Sequence, residues 1–379
     1  GYSSQAPRNR TAADACPANF LRSTWGMNPE GERETEILLD YTRSAITVEF
    51  DQKDKNERKK ATMENVKQVV DQQVAHWLEG IDPARLEGND KEHPLEFKGQ
   101  TVNLLTPDIL RSLTRQVPLL AKIGKNISHD ITGAPADDER ALALENLEAH
   151  KALNGKVMEY KIKVGDEEKT IFIKYELRFF NISNNKLDER LPFWLKTSFE
   201  KTNKESWEKL EKDVFEQETM LRDKYIEAYD NAAGREQTLL DEVERQMDEC
   251  IDLRLRIVNE AKKIIRPDDK QFTLWKNKAD ALAENLLKLE DSSESSEELK
   301  KAVAILKKRI LLLDLYLDSK ELFVQETSKN LNNVDQNRSA FPARILLLAI
   351  LVDDLQVHFG CRSGKDRTGL VDIELKLLA

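Results

Sequence analysis

The amino-acid sequence predicts an α+β fold that is predominantly helical, with a small sheet elaborated by long helices. Three observations carry this prediction. Residues 156–179 alternate between apolar and polar side chains, residues 199–331 carry apolar stripes at helical spacing, and a strand, a tight loop and a helix are indicated around Cys361. A period of two residues is typical of strands and a period of about 3.6 is typical of helices, so one chain is expected to contain both.

Four helices are predicted before the alternating segment, at residues 34–46, 58–78, 107–117 and 139–154. The second is the clearest, because its apolar side chains recur every three or four positions. A proline opens the third, and Gly155 follows the fourth as a typical helix stop. We therefore expect residues 1–153 to form an N-terminal, mainly helical region that has the potential to bind a partner.

Residues 154–198 are expected to contain the small sheet. Apolar and charged side chains alternate from Met158 to Val164 and again from Ile171 to Phe179, and Gly165 lies between the two runs. Alternation on both sides of a glycine-containing turn indicates a β-hairpin.

Residues 199–335 are predicted to form long helices. One apolar stripe runs from Trp207 to Ala232, Gly234 interrupts it, and a second stripe ends before Pro267. Two antiparallel helices and one continuous rod both fit this pattern. Further helices are predicted at 299–317 and 343–355. Stripes of this kind usually form a core, and a partner-binding coiled coil is the alternative.

Composition excludes several classes of protein. The 59 Lys and Arg residues and 69 Asp and Glu residues give a net charge of −10, which argues against broad nucleic-acid binding. Three cysteines cannot form a disulfide scaffold. The longest apolar run, residues 345–352, is far shorter than the roughly 20 residues of a spanning helix. No secretory signal is visible at the first residues.

The loop between Cys361 and Arg367 carries the candidate chemistry. Five residues between a cysteine and an arginine suffice to wrap backbone N–H groups, including those of Ser363 and Gly364, around one phosphate, and the following helix adds its positive end. Arg367 would bind two phosphate oxygens at once. The same field would stabilise a thiolate on Cys361, which would attack phosphorus. Thr368 would hydrogen-bond that thiolate.

The loop is also unusually basic for this acidic chain. Arg362, Lys365 and Arg367 outnumber Asp366 within seven residues, which favours a substrate with more than one phosphate. Asp366 would either protonate the leaving oxygen or serve as a structural acceptor, and the sequence leaves both roles open.

The remaining candidate groups have structural interpretations. Cys250 lies on a helix stripe and Cys16 lies in a predicted loop. The five histidines show no ligand spacing, so we predict no metal site and no cofactor. His358 would either tune the thiolate or be packed, and packing is favoured.

The loop from Cys361 to Gly369 closely resembles the CKSGKDRTG loop of inositol polyphosphate 4-phosphatases and of bacterial phosphoinositide phosphatase effectors of the SopB, IpgD and SidF type. The resemblance extends to residues 370–376, which are similar to the family's D-x-E-x-K helix. A weaker match places Asn181 and Asn184 in the family's FN-x-G-x-N segment, although Ser183 replaces the glycine. Arg362 replaces the usual lysine.

This resemblance implies a cysteine-dependent phosphatase core of the CX5R type. Members of the family remove a 3- or 4-phosphate from phosphoinositides or soluble inositol polyphosphates, without metal, on host membranes after secretion by a bacterium. The resemblance assigns Cys361 as nucleophile, Arg367 as phosphate ligand and Lys365 as a contact to a second phosphate. In related myotubularin-like phosphatases the position of Asp366 holds the general acid.

We therefore expect a secreted bacterial effector that acts in the host cytosol, peripherally on membranes. It would remove one phosphate from the inositol ring, with the 3-phosphate favoured and the 4-phosphate the next candidate. Residues 336–379 form the catalytic segment, and the chain is expected to continue beyond it. Two alternatives remain open. One is a phosphotyrosine or phytate phosphatase with the same loop, and the other is a helical module that binds a host GTPase or a secretion chaperone.

Overall fold

The computed structural model describes residues 21–27, 36–45, 47–48, 54–105, 139–164, 167–182, 199–231, 234–261, 269–293, 297–327, 340–361 and 366–378. The chain divides into two compact units. We call Gly1–Trp207 together with Arg338–Ala379 the sheet unit, and Glu208–Asn337 the helical unit.

The sheet unit contains a six-stranded mixed sheet in the order β1-β2-β6-β3-β5-β4. The four inner strands run parallel, and the two edge strands are antiparallel to their neighbours. The strands are β1 (Leu21–Met27), β2 (Glu36–Ala45), β3 (Leu95–Asn103), β4 (Val157–Val164), β5 (Glu167–Asn181) and β6 (Leu355–Cys361). The predicted hairpin at 156–179 is confirmed as β4 and β5.

The predicted helix at 34–46 is wrong, because these residues contain β2. Leu39 and Tyr41 are buried on one face, and Thr42 and Ser44 are buried on the other. Strands of a parallel sheet are covered on both faces, so β2 lacks the alternation between buried and exposed side chains that identifies a half-buried strand. Strands β1 and β3 were also not predicted from the sequence. The predicted helix at 107–117 lies outside the described residues.

Helices cover both faces of the sheet. Successive residues of a strand point to opposite faces. Tyr41 donates a hydrogen bond to Asp372, whereas the next residue, Thr42, hydrogen-bonds His358. The face of Tyr41 is covered by α7 (Ala340–Ile350) and α8 (Asp366–Leu378), and the opposite face by α1 (Lys55–Glu79) and α2 (Glu139–Leu153). A short 3-10 turn, Pro83–Leu86, follows α1.

The helical unit is formed by the later part of α3 (Glu200–Asp230) and by α4 (Gly234–Ala261), α5 (Asp269–Ser293) and α6 (Glu297–Thr327). Buried Arg309 on α6 pairs with Glu218 on α3 and Glu244 on α4. Of the two arrangements that the sequence left open, the structure therefore shows two separate helices and not one continuous rod. The apolar stripes form a core, as predicted, with Val243, Met247, Leu289 and Leu306 among its buried residues.

None of the helices in the described ranges is long and apolar enough to cross a bilayer.

Candidate active site

The candidate loop begins where parallel strands end. Cys361 is the last residue of β6, in register with Ala45 at the end of β2, and Gly360 is in register with Asn103 at the end of β3. Side chains at the carboxyl edge of parallel strands are the usual place for a ligand site in such sheets. The predicted strand before Cys361 and the predicted helix after it are both confirmed, as β6 and α8.

Two of the predicted site residues meet directly. The Cys361 sulfur lies 3.9 Å from Thr368 Oγ1, and both residues are buried, with 2% and 0% of their surfaces exposed. At this distance the S–H···O contact is weak, but it places the sulfur against the first turn of α8. The partial positive charge of a helix N-terminus acts within that turn.

The structure describes only part of the remaining predicted site residues between Cys361 and Thr368. Arg362, Ser363, Gly364 and Lys365 lie outside the described residues. The backbone of Asp366 and Arg367 opens α8. The roles of these six residues stay predictions.

Gly360 allows β6 to lie close to β2 just before Cys361. A Cβ at this position would be 3.3 Å from the Ser44 carbonyl oxygen, tighter than most such contacts. The backbone leading into Cys361 is therefore fixed by its neighbour strand.

A buried histidine, His358, lies on β6 three residues before Cys361. Ser44 Oγ donates to the Ala45 carbonyl at 2.6 Å, so its single proton is used. His358 Nε2 then donates to Ser44 Oγ at 3.2 Å, and Nδ1 lies 3.0 Å from Thr42 Oγ1, whose one proton is shared between Nδ1 and the Val357 carbonyl at 3.2 Å. This arrangement ties β6 to β2 just before their carboxyl ends.

Burial keeps this histidine and a neighbour uncharged. Burial, with a smaller contribution from His150, lowers the pKa of His358 from 6.5 to about 3. Burial lowers the pKa of His150 to about 4, although its hydrogen bond to the Asn146 carbonyl opposes the shift. His358 is therefore a packed residue, as favoured from the sequence, and does not supply positive charge to the thiol.

The motif helix α8 is anchored to β2 through Asp372. This buried carboxylate accepts from Tyr41, pairs with Lys376 at 3.0 Å and lies 3.7 Å from Arg43. Two residues of the D-x-E-x-K resemblance, Asp372 and Lys376, thus form an ion pair one turn apart.

Asn181 lies at the end of β5, at the same edge of the sheet. Its side-chain Nδ2 donates to the Leu105 carbonyl at 3.2 Å. Its backbone N–H and carbonyl each form a hydrogen bond with the Asn203 side chain. These contacts join β5 to α3. Asn184 lies outside the described residues, so a substrate role for the pair stays a prediction.

Sequence reasoning missed the polar side chains that support this edge. Four of these side chains are buried beside β6: Thr42, Ser44, Asn103 and His150. Asn103 and His150, together with His358, line a small cavity of about 10 Å³. The polar positions of β2 were visible in the sequence, but they signal a site only once that segment is known to be a strand. Among the described residues, no group of three or more potential ligands is arranged to hold a metal ion.

No protein-family model matches the chain, and no curated protein matches its sequence. Its fold is similar to a solved structure described as the crystal structure of a Legionella phosphoinositide phosphatase, SidF, with a TM-score of 0.55 and 14% identity. The match covers 95% of this chain and 58% of that one.

A second solved structure, described as the structural basis for substrate recognition by a novel Legionella phosphoinositide phosphatase, has a TM-score of 0.49 and 13% identity over 90% of this chain and 54% of that one. The chain spans a little over half the length of these structures. At such low identity the first likeness shows the fold alone: this chain has a SidF-like fold.

Proposed function

We propose that this chain is a phosphoinositide phosphatase that uses Cys361 as its nucleophile. One observation carries the proposal: β6 ends at Cys361 and α8 begins at Asp366, with the Cys361 thiol against Thr368. The SidF-like fold, in which the solved protein is described as a phosphoinositide phosphatase, adds support.

In the first step, the Cys361 thiolate attacks the phosphorus of a ring phosphate. The sulfur–phosphorus bond forms while the bond to the ring oxygen breaks, which gives a phosphocysteine. Asp366 gives a proton to the leaving ring oxygen. The loop N–H groups of Ser363 and Gly364 and the Arg367 guanidinium stabilise the charge on the equatorial oxygens.

In the second step, a water molecule attacks the phosphocysteine. Asp366 accepts a proton from this water, the sulfur–phosphorus bond breaks and inorganic phosphate leaves. Thr368 donates a hydrogen bond to the departing thiolate. This chemistry proceeds through the residues of the loop and requires no metal or cofactor.

In this proposal the basic residues of the loop determine which substrate is preferred. Arg362 and Lys365 bind further phosphates of the same inositol ring, and the 3-phosphate is removed in preference to the 4-phosphate. The enzyme acts as a secreted bacterial effector in the host cytosol, on phosphoinositides at the membrane surface. A host GTPase or a secretion chaperone would bind through residues 1–153.

The test is phosphate release from a panel of phosphoinositides in vesicles, with soluble inositol phosphates, phytate and a phosphotyrosine peptide alongside. We expect release from lipids that carry a 3-phosphate, slower release from those with only a 4-phosphate, and little from the peptide. Preference for the peptide or for phytate would favour the corresponding alternative enzyme.

Two serine variants identify the nucleophile. Cys361→Ser is expected to abolish release, whereas Cys250→Ser, in the helical unit, is expected to leave it unchanged. Equal release by the wild type and Cys361→Ser would exclude the proposed chemistry.

A further inference from the structure

The chain turns immediately after β3, beside the candidate nucleophile. Leu104 and Leu105 follow the last residue of the strand, Asn103, and both leucines are fully buried. The Leu104 N–H donates to the Gly360 carbonyl at 2.8 Å. Asn103 and Gly360 are in register, so this bond continues the pairing of β3 with β6 by one residue.

This bond acts on the peptide unit that contains the Cys361 N–H. The Gly360 carbonyl and the Cys361 N–H belong to the same planar group, so a contact that fixes one also fixes the orientation of the other. On the opposite side, the Ser44 carbonyl oxygen of β2 would lie only 3.3 Å from a Cβ at Gly360. The peptide is therefore held between two strands, and its orientation depends on where Leu104 lies.

Two asparagine side chains hold the backbone that follows Leu104. Asn103 Oδ1 accepts from the Leu105 N–H at 3.2 Å, which closes a short side-chain turn typical of asparagine. Asn181 Nδ2, from the neighbouring strand β5, donates to the Leu105 carbonyl at 3.2 Å. Because asparagine side chains bind both polar groups of Leu105, the position of Leu104 is fixed as well.

Asn181 is itself anchored to α3. The Asn203 side chain accepts from the Asn181 N–H at 2.9 Å and donates to the Asn181 carbonyl at 3.0 Å. The Ile182 N–H also donates to the Asn103 carbonyl at 2.9 Å. Asn103 and Asn181 are only 2% and 5% exposed, so their side chains are placed to act on the backbone.

We propose that Asn103 and Asn181 are positioning residues for the reaction of Cys361. They fix Leu105 and with it Leu104, whose N–H orients the peptide that leads into the nucleophile. The inference rests on the proposed phosphatase function, and it gives Asn181 a positioning role in place of the substrate contact predicted from the sequence. Misplacing a reacting group by about 1 Å can cost roughly 100-fold in rate.

Steady-state hydrolysis of a phosphoinositide tests this role. Asn103→Ala removes the acceptor for the Leu105 N–H and is expected to lower kcat about tenfold, while KM stays within about a factor of two because the side chain does not contact the substrate. Asn103→Ser keeps a hydroxyl acceptor for the same kind of turn and is expected to recover most of that loss. Asn181→Ala should behave like Asn103→Ala, and the double variant should lose little more than either, since both act on Leu105.

Asn89 provides the matched control. Its side chain also binds both polar groups of one backbone residue, Phe172 of β5, at 2.7 and 2.9 Å. Phe172 lies nine residues before Asn181, about 30 Å along the strand. Asn89→Ala is therefore expected to lower the midpoint of urea unfolding, as Asn103→Ala does, and to leave kcat unchanged. A fall in kcat that follows stability in both variants would overturn the proposal.

Hydrogen exchange followed by mass spectrometry tests the structural step without a substrate. In Asn103→Ala, exchange of the Leu104 amide is expected to accelerate at least tenfold, and in Asn89→Ala it should stay as in the wild type. Unchanged protection of Leu104 in Asn103→Ala, or a rise in KM with an unchanged kcat, would overturn the positioning role. A wild-type chain that releases no phosphate would instead overturn the proposed function, and the exchange result would still decide whether the asparagines fix this peptide.

Discussion

The two units of this chain bury polar groups in different ways. In the sheet unit, neutral side chains such as Ser44, Asn103 and His358 are buried together at the carboxyl edge of the parallel strands, next to Cys361. In the helical unit, buried Arg309 and Arg254 pair with carboxylates across helices. The neutral network fixes the position of one strand end, whereas the ion pairs fix how helices align. The side chains packed on the His358 face of this edge therefore carry little charge, whereas the opposite face buries Asp372 beside Lys376 and Arg43.

The largest effect should come from the loop of the sheet unit. Arg367→Lys keeps the charge but loses the planar pair of donors that binds two phosphate oxygens. We expect kcat/KM for phosphoinositide hydrolysis to fall by about 100-fold or more, the usual cost of removing one transition-state donor. Arg245→Lys, in an exposed ion pair of the helical unit, is the control and should stay within a factor of two. Similar rates for Arg367→Lys and the wild type would assign phosphate binding to other groups.

The next largest effect should come from the buried ion pairs of the helical unit. Arg309→Met removes the partner of Glu218 and Glu244 from a site where Arg309 is almost fully buried. We expect the free energy of unfolding to fall by about 3 kcal/mol, measured by urea denaturation. Arg245→Met, whose pairs with Glu242 and Glu249 are exposed, should cost less than about 1 kcal/mol. Equal losses would mean that the buried pairs do not align these helices.

Because His358 and His150 are buried in their uncharged form, we expect the sheet unit to lose stability in acid. The folded pKa values of His358 and His150, about 3 and 4, lie below the ordinary value of 6.5, so the unfolded chain binds more protons between those limits. Their stabilisation is complete above pH 6.5 and is lost as the pH falls through that window. At pH 4.5 each histidine should lower the free energy of unfolding by about 2–3 kcal/mol relative to its value above pH 6.5.

Hydrogen exchange at several pH values, corrected for intrinsic rates, can locate this loss. Protection of β6 should fall between pH 6.5 and 5, and His358→Asn should flatten that pH dependence. Residues 208–337 contain no histidine, so α4 should show no histidine-dependent change in this range. A loss of protection in α4 that tracks the loss in β6 would contradict this difference between the units.

The smallest effect concerns single hydroxyl groups. Tyr41→Phe removes the buried hydrogen bond that joins β2 to Asp372 of α8 and should cost about 1–2 kcal/mol of unfolding free energy. Tyr229→Phe removes an exposed hydrogen bond to Asp241 and should change stability by less than about 0.5 kcal/mol. Thermal denaturation of both variants measures the difference, and a larger loss for Tyr229→Phe would reverse the expected order.

The same contrast explains how much could be predicted from the sequence. The helical unit has one buried and one exposed side on each helix, so its stripes, such as that from Leu240 to Ile257, predicted α4 directly. The β4–β5 hairpin was equally clear because β4 lies at the edge of the sheet and alternates between exposed and partly buried side chains.

The inner strands could not be predicted in this way. β2 is buried on both faces and carries polar residues whose partners, such as His358, lie more than 300 residues away in the chain. At the candidate site, the stretches on either side of the Cys361–Arg367 segment predicted β6 and α8. The supporting side chains could not be predicted, because their role depends on strand neighbours that only the folded sheet brings together.

The central claim is that the Cys361 sulfur carries the phosphoryl group during turnover. Acid quenching of the enzyme during hydrolysis of a phosphoinositide, followed by peptide mass spectrometry, tests it most directly. We predict a phosphoryl adduct on the peptide that contains Cys361 and none on the peptide that contains Cys250. Turnover with an adduct on a different residue, or undiminished turnover by Cys361→Ser, would contradict it.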